Sequence, residues 1–185
     1  MLPPEFHSAP VTSPTQLLKA GIALGSNLGD RLENLRLGRA AVLRIPGVTN
    51  ADLVSRIYET DAVDSDLDAP AFYNAVMEVD YDSDAHALLE ELLAIERHMG
   101  RASKRPRNAP RVIDLDLLYA GNLTLRNEEV VIPHPRLHLR RFVLAPLAEI
   151  RPELRLPGYE KTILEMLASL QDSSPVQLLD KEWAP

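Results

Sequence analysis

The stretch RVIDLDLLYAGN, residues 111–122, predicts a β-strand that ends in an Ala-Gly-Asn turn. Successive side chains of a strand alternate between its faces, so Asp114 and Asp116 are expected to share one face, about 6–7 Å apart. The opposite face would carry the apolar side chains that enter the core, namely Ile113, Leu115, Leu117 and Tyr119. Two carboxylates this close repel each other, so the strand raises the question of which positive group neutralises them.

A basic loop, RASKRPRNAPR (101–111), leads into this strand and contains no acidic residue. Four of its five cations are arginine, whose planar guanidinium suits phosphate oxygens better than the point charge of lysine. Mg²⁺ takes few protein oxygens and is completed by water and substrate phosphates. The loop and the aspartates together therefore predict a polyphosphate held with one or two Mg²⁺ ions. The simpler alternatives are a solvated strand face for the aspartates and a surface turn for the loop.

The bulk composition limits the classes of protein to consider. The chain has 185 residues, 45 % apolar and 25 % charged, which fits one globular domain. A net charge of −7 argues against a general nucleic-acid binder, because such proteins carry basic surfaces. The absence of cysteine excludes disulfides and fits a reducing compartment. No apolar stretch approaches the roughly 20 residues that cross a bilayer, and no signal peptide is recognisable, so the cytoplasm is the expected location.

Apolar periodicity predicts the elements of the fold. Expected strands are 20–26, 52–60, 72–81 and the aspartate strand; expected helices are 31–45, 83–99, a helix over 137–150 broken at Pro146, and 161–171. Gly100 is expected to cap the second helix. Residues 122–136 are expected to return as a hairpin partner of the aspartate strand.

The resulting order, β-α-β-β-α-β, predicts a single-domain α+β fold with a ferredoxin-like core, an added hairpin and C-terminal helices, the helices lying mainly on one side of an antiparallel sheet. The predicted domain is 19–173, between a flexible N-terminal arm (1–18) and a C-terminal tail (174–185). A doubly wound α/β fold is the weaker alternative, because residues 52–81 hold two consecutive strands without a helix between them.

Other residues are also candidates for binding. His134, between the prolines of VIPHPR, would donate to a phosphate oxygen; the alternative is a plain loop histidine. Phe72 and Asn74 share a strand face and would form a stacking surface beside a hydrogen-bonding amide, or else are a core aromatic residue and an edge amide. The GSNLGD turn (25–30) lacks the Gly-Lys-Ser/Thr of a P-loop.

Four segments together resemble one family, the 6-hydroxymethyl-7,8-dihydropterin pyrophosphokinases of folate biosynthesis. The resemblance spans about residues 20–155 and rests on IALGSNLGDRLENL, on YET with FYNAV, on RNAPRVIDLDLLYAGN and on VIPHPRLHLRRFVLAPLAEI. The third segment is the most specific, since Arg107, Pro110, Arg111 and both aspartates stand at the family spacing. The resemblance implies a ferredoxin-like enzyme that transfers pyrophosphate from ATP to the pterin hydroxymethyl group and releases AMP.

The resemblance also implies a role for each matching residue. Asp114 and Asp116 would bind two Mg²⁺ ions and, with Arg101 and Arg111, would be catalytic. The contacts to ATP would come from Glu96, Arg101, Arg107, Arg111, Leu117, His134 and Arg140. The pterin would be bound by Thr60, Val63, Phe72, Asn74 and Phe142. The implied partners are these two small-molecule substrates, with no nucleic acid and no membrane, and the implied state is a monomer.

Two other functions remain open at the level of the sequence. One is a ferredoxin-like module that grips RNA with its basic loop, although only 5 % of the residues are aromatic and such modules stack bases on aromatic side chains. The other is a family descendant that has lost turnover, because Asn108 and Ala109 replace the Trp-Gly pair usual in the family.

Overall fold

The computed structural model describes residues 17–61, 70–100, 110–127, 130–172 and 174–184. The elements in chain order are β1 (Leu18–Ser26), α1 (Arg31–Val42), β2 (Val48–Val54), β3 (Ile57–Thr60), β4 (Phe72–Tyr81), α2 (Ala85–His98), β5 (Asp114–Ala120), β6 (Leu125–Arg126), β7 (Val131–Ile132), a 3₁₀ turn (Leu137–Leu139), α3 (Arg141–Ile150), α4 (Ile163–Ser169) and β8 (Val176–Leu179). Within those ranges, no helix is long and apolar enough to cross a membrane.

The main sheet has the strand order β5-β1-β4-β3-β8, with β2 also paired to β4, and these pairings are antiparallel. β2 and β3 pair with successive parts of β4, so they form one strand path with a bend at Ser55 and Arg56. The bend is held because Ser55 N–H donates to Val76 O at 2.8 Å and Ser55 Oγ accepts from Val76 N–H at 2.9 Å. Counting β2 and β3 together gives β-α-β-β-α-β, and the predicted ferredoxin-like α+β fold is confirmed.

Helices cover both faces of the sheet. The core beneath α1 and α2 contains Ile22, Leu24, Leu35, Met77, Leu88 and Leu92. The core beneath α3 and α4 contains Val76, Leu118, Val143, Leu144, Leu147 and Ile163. β4 is buried on both faces, with Val76 in one core and its neighbour Met77 in the other, so a second helical layer covers it. The expectation that helices lie mainly on one side therefore holds only for the two helices of the βαββαβ core.

The helix ends agree closely with the sequence signals. Asp30 caps α1 through its side chain, which accepts from Glu33 N–H at 3.1 Å, and Asp84 likewise caps α2. Gly100 follows the end of α2 with φ at +103°, a left-handed conformation that favours glycine, so its predicted capping position is confirmed.

β5 contains a bulge that the sequence does not reveal. Gly21 of β1 pairs with Tyr119, but the next residue, Ile22, pairs with Leu117, which leaves Leu118 as an extra residue. The prediction for Tyr119 is therefore wrong, because its ring lies in the core beneath α3, whereas Leu117 lies in the core beneath α1 and α2. The Tyr119 ring packs directly over Gly21, where an added Cβ would lie 2.1 Å from the ring carbon Cε1.

Three other local predictions are corrected. The helix over 137–150 breaks at Arg140, between the 3₁₀ turn and α3, and it continues through Pro146 at the loss of one internal hydrogen bond. β6 and β7 pair with each other rather than with β5, which therefore lies at the edge of the described sheet. The C-terminal tail contains a strand, β8, that the sequence analysis did not predict.

Candidate active site

The two aspartates of β5 share the face of the sheet that points away from α1 and α2, and each has an arginine partner. Arg111 Nη1 donates to Asp114 Oδ2 at 2.8 Å, and Arg140 Nη1 donates to Asp116 Oδ2 at 3.4 Å. All four side chains are partly exposed, between 20 % and 35 %. The positive groups beside the carboxylates in this structure are thus two arginines, one from the entry to β5 and one from the start of α3.

The electrostatics of this cluster are set by burial. Burial, followed by the charge of Asp114, raises the pKa of Asp116 above the ordinary range of a carboxyl group. Burial also lowers the pKa of His134, although the nearby Asp116 opposes this shift. His134 Nδ1 accepts from Arg136 N–H at 3.2 Å, so the neutral ring carries its proton on Nε2. His134 N–H donates to Leu118 O at 2.8 Å, which holds this segment against β5.

β1 supplies a floor between the aspartates and a second cluster on β4. Gly25 lies opposite Asn74 on one side and opposite Asp114 on the other. A Cβ added at Gly25 would lie 3.3 Å from Asn74 Oδ1, 3.8 Å from the Phe72 ring and 3.9 Å from Asp114 Cβ. Gly25 is itself buried, and its lack of a side chain lets the Asn74 amide, the Phe72 ring and Asp114 come together around its Cα.

The second cluster contains Thr60, Phe72 and Asn74. Asn74 Nδ2 donates to Thr60 Oγ1 at 2.9 Å, and both residues are only 6 % exposed. Thr60 also lies opposite Phe72 in the β3–β4 ladder. Phe142 stands at the start of α3, where the Arg140 guanidinium lies 5.4 Å from its ring centroid. The structure thus brings the expected pterin residues of β3 and β4 close to the aspartates across Gly25.

Two of the expected ATP residues are buried. Glu96 is 1 % exposed, and its Oε1 accepts from Leu115 N–H at 2.8 Å, so its carboxylate holds the edge of β5 between the two aspartates. Leu117 is 5 % exposed and packs in the core beneath α1 and α2. Their contacts with ATP stay predictions. The other expected residues, Arg101, Arg107 and Val63, lie outside the described ranges.

Asn27 is a site residue to which the sequence analysis gave no role. It is 1 % exposed; its Oδ1 accepts from Arg111 N–H at 2.8 Å and its backbone N–H donates to Arg111 O at 3.1 Å. Its Nδ2 also donates to Pro70 O at 3.3 Å. Asn27 thereby joins the end of β1 to the residues that enter β5 and β4. The only signal in the sequence was a polar residue in the turn directly after a buried strand, a position where asparagine is common for local reasons.

The donor set fits a cation that needs few protein ligands. Across the parts of the chain that the structure describes, no group of three or more His, Asp or Glu side chains is arranged to hold a metal ion. Mg²⁺ is usually bound by one or two carboxylates, with water and substrate phosphates completing its octahedron. Two partly buried carboxylates whose repulsion is relieved by paired arginine side chains meet this requirement.

Comparison with known proteins by sequence gives one family. The model of the 7,8-dihydro-6-hydroxymethylpterin-pyrophosphokinase family matches residues 21–152. The chain is 37 % identical over 164 residues to the 2-amino-4-hydroxy-6-hydroxymethyldihydropteridine pyrophosphokinase of Haemophilus influenzae, covering 88 % of this chain and 99 % of that one. It is 43 % identical over 131 residues to the protein of the same name from Bacillus subtilis, covering 71 % and 77 %.

Solved structures show a likeness in fold. A crystal structure of HPPK-DHPS in complex with substrates matches with a TM-score of 0.65 at 15 % identity, covering 83 % of this chain and 44 % of that chain. HPPK-DHPS of Plasmodium falciparum with pterin and p-hydrobenzoate bound matches with a TM-score of 0.62 at 14 % identity. This chain therefore spans less than half the length of these solved structures.

Proposed function

Since the chain belongs to the 7,8-dihydro-6-hydroxymethylpterin-pyrophosphokinase family, we propose that the arginine-paired aspartates of β5 are the centre of its active site. The enzyme transfers pyrophosphate from ATP to the hydroxymethyl group of 6-hydroxymethyl-7,8-dihydropterin in folate biosynthesis, giving the pterin diphosphate and AMP. The resemblance recognised in the sequence is thereby confirmed.

One observation carries the assignment of the site: Asp114 and Asp116 lie on one strand face, each bound by an arginine, next to the Thr60–Asn74 pair. An arginine can exchange a carboxylate for a phosphate, because both present oxygen pairs that match its planar fork. Arg111 and Arg140 would therefore turn to the phosphates of ATP as the carboxylates take up metal. Two Mg²⁺ ions held by Asp114 and Asp116 would neutralise phosphate charge and make the substrate hydroxyl more acidic.

The phosphate side of the site needs positioning more than covalent chemistry. The pterin hydroxymethyl oxygen would attack the β-phosphorus of ATP while the bond from that phosphorus to the bridging oxygen breaks. AMP would leave in line with the attack and keep that oxygen, and the hydroxyl proton would pass to solvent. Arg111, Arg140 and the Nε2–H of His134 would donate to phosphate oxygens and stabilise the charge that spreads over them. Asn27 would fix the backbone of Arg111, and Glu96 would fix the strand edge between the aspartates.

The pterin side of the site would be read by Asn74. One N–H of its Nδ2 donates to Thr60, and its Oδ1 would accept from an N–H of the pterin ring. Phe72 and Phe142 would stack on the ring, an arrangement that combines apolar burial with favourable ring geometry. Glycine at position 25 would keep the Asn74 amide and the Phe72 ring in place beside the aspartates, because a side chain there would crowd them.

The assignment is tested by AMP release from ATP and hydroxymethyl-dihydropterin. Asp116→Ala is expected to slow the reaction at least about a hundredfold, because a group that supports transition-state charge is lost. The control is Asp80→Ala, which removes another carboxylate paired to a cation, Lys19, at 2.8 Å on the same sheet. Near-normal AMP release by Asp116→Ala at saturating Mg²⁺ would show that the metal assignment is wrong.

We further propose that the enzyme acts as a monomer in the cytoplasm, without a nucleic-acid partner. The net charge of −7 supports the last point, because the phosphates of a nucleic acid are repelled by a negatively charged protein. Light scattering on the purified protein tests the oligomeric state, and a salt-dependent RNA-binding assay tests the partner.

A further inference from the structure

The C-terminal segment, residues 176–184, lies beyond the family match, which ends at residue 152. Its strand β8 pairs with the whole of β3, with Val176 opposite Thr60 and Leu179 opposite Ile57. β3 has only four residues and carries Thr60, the partner of Asn74. Without β8, this short strand would be an edge strand held on one side only, and such strands fray easily.

Trp183 anchors the C-terminal segment in the core beneath α1 and α2, where it is 4 % exposed. Its Nε1–H donates to Ser55 O at 2.7 Å, at the bend between β2 and β3. Ser55 in turn binds the backbone of Val76 through its own N–H and Oγ, at 2.8 and 2.9 Å. The indole therefore acts on the bend next to β3 and, through Ser55, on β4 two residues beyond Asn74.

Lys181 makes a third contact, to Tyr73, the residue of β4 between Phe72 and Asn74. Its Nζ donates to Tyr73 Oη at 2.6 Å and lies 4.7 Å from the ring centroid. The Arg31 guanidinium lies 3.8 Å from the centroid of the same ring. Lys181 therefore restrains a side chain that α1 also holds.

Arg31 extends this restraint to both strands. It donates to Glu59 Oε1 at 2.8 Å and to Ala71 O at 2.7 Å. Glu59 precedes Thr60 in β3, and Ala71 precedes Phe72 at the start of β4. The contacts of the C-terminal segment thus converge on residues adjacent to Thr60, Phe72 and Asn74.

We propose that the C-terminal segment positions the pterin half of the active site, with Lys181 and Trp183 as positioning residues that do not touch the substrate. This inference rests on the proposed function, in which Thr60, Phe72 and Asn74 bind the pterin. A small displacement of a binding group costs affinity because its hydrogen bonds depend on distance and angle. The contacts described above act on β3 and β4, whereas the phosphate side is held by the hydrogen bonds of Glu96 to Leu115 and of Asn27 to Arg111, although Asn27 also reaches Pro70 before β4. Weakening the segment is therefore expected to impair pterin binding and to spare ATP binding.

The test uses the full chain with two substitutions, Lys181→Met and Trp183→Phe. Each removes one hydrogen bond while keeping much of the apolar part of the side chain. KM for hydroxymethyl-dihydropterin and KM for ATP are measured from AMP release with the other substrate saturating. Each variant is expected to raise the pterin KM about fivefold, the factor that corresponds to one ordinary hydrogen bond, and to leave the ATP KM within about twofold. Lys181→Arg keeps a cationic donor and is expected to restore the pterin KM.

The controls are matched in chemistry and lie at the other end of the sheet. Lys19→Met removes the lysine that binds Asp80 at 2.8 Å, and Tyr119→Phe removes the buried hydrogen bond to Glu78 Oε2 at 2.6 Å. Neither is expected to change the ratio of the two KM values.

The outcomes separate this inference from the function on which it rests. An unchanged pterin KM in Lys181→Met overturns the inference, as does an equal rise of both KM values in step with a lower Tm. If Trp183→Phe does not fold, the comparison of Lys181→Met with Lys181→Arg decides alone. Failure of the unmodified enzyme to release AMP would instead overturn the proposed function.

Discussion

Replacing Asn27 by alanine removes the side chain that connects the entry to β5 with the entry to β4. The substitution deletes the acceptor of Arg111 N–H, at 2.8 Å, and the donor to Pro70 O, at 3.3 Å. It keeps the backbone hydrogen bond from Asn27 N–H to Arg111 O. The start of β5 is therefore loosened rather than released, and Arg111, which binds Asp114, becomes less well positioned.

The expected size of the effect follows from these two hydrogen bonds. The Asn27 side chain is 1 % exposed, so the N–H of Arg111 would lose a buried partner, at a cost of about 1–3 kcal/mol in the free energy of unfolding. For a chain of this size, each kcal/mol lowers Tm by about 2–4 °C. If about 1.4 kcal/mol of that cost also raises the activation free energy of the reaction, kcat/KM falls about tenfold.

The assay is AMP release, combined with thermal unfolding of the same preparations. Asn34→Ala is the matched control, because Asn34 Nδ2 donates to Leu28 O at 2.7 Å and to Ser26 Oγ at 3.1 Å, in the same turn. Because its hydrogen bonds are more exposed, it should lose less stability, and it should keep most of its kcat/KM. Equal losses of kcat/KM in the two variants would refute the positioning role of Asn27.

Other outcomes follow from the same contacts. Arg151→Met leaves the Glu78 carboxylate, 5 % exposed, without its cation, and is expected to cost about 3 kcal/mol in urea unfolding. Arg155→Met breaks an exposed pair and should cost far less stability. Comparable losses would contradict this. Gly25→Val crowds the buried Asn74 amide and the Phe72 ring and should raise the pterin KM about tenfold, whereas an unaltered KM would mean that the pterin lies elsewhere. Chelation by EDTA should abolish AMP release until Mg²⁺ is restored, and undiminished turnover in EDTA would exclude the metal-bound aspartates.

The sequence predicts those parts of the fold that depend on local periodicity. β4 has the predicted bounds, because its apolar and polar side chains alternate over ten residues. The bulge at Leu118 could not be predicted, because it depends on the approach of Tyr119 to Gly21, which is distant in the sequence. β8 escaped prediction because four residues are too few to show a period, and its pairing with β3 is a tertiary contact.

The same division applies to the candidate site. The shared face of Asp114 and Asp116 follows from strand geometry, and the nearby basic residues suggested the phosphate chemistry. The partner of each carboxylate could not be deduced, because Arg140 comes from a different element and reaches Asp116 only after α3 packs against the sheet. The contacts of Asn27 and Glu96 are also tertiary, and neither residue type is distinctive in a turn or a helix.

The extra residue at Leu118 divides β5 into two stretches. Each stretch has its own register with β1, so a change of length in one does not have to change the pairing of the other. Before the bulge, any single insertion or deletion between Asp114 and Leu117 would move a carboxylate to the opposite face of the strand, into the core beneath α1 and α2. Downstream, loss of the extra residue would turn Tyr119 away from Glu78 and leave the aspartates untouched. Natural variation in this strand should therefore consist of substitutions alone, and a length change would be tolerated only with a compensating change across the same bulge.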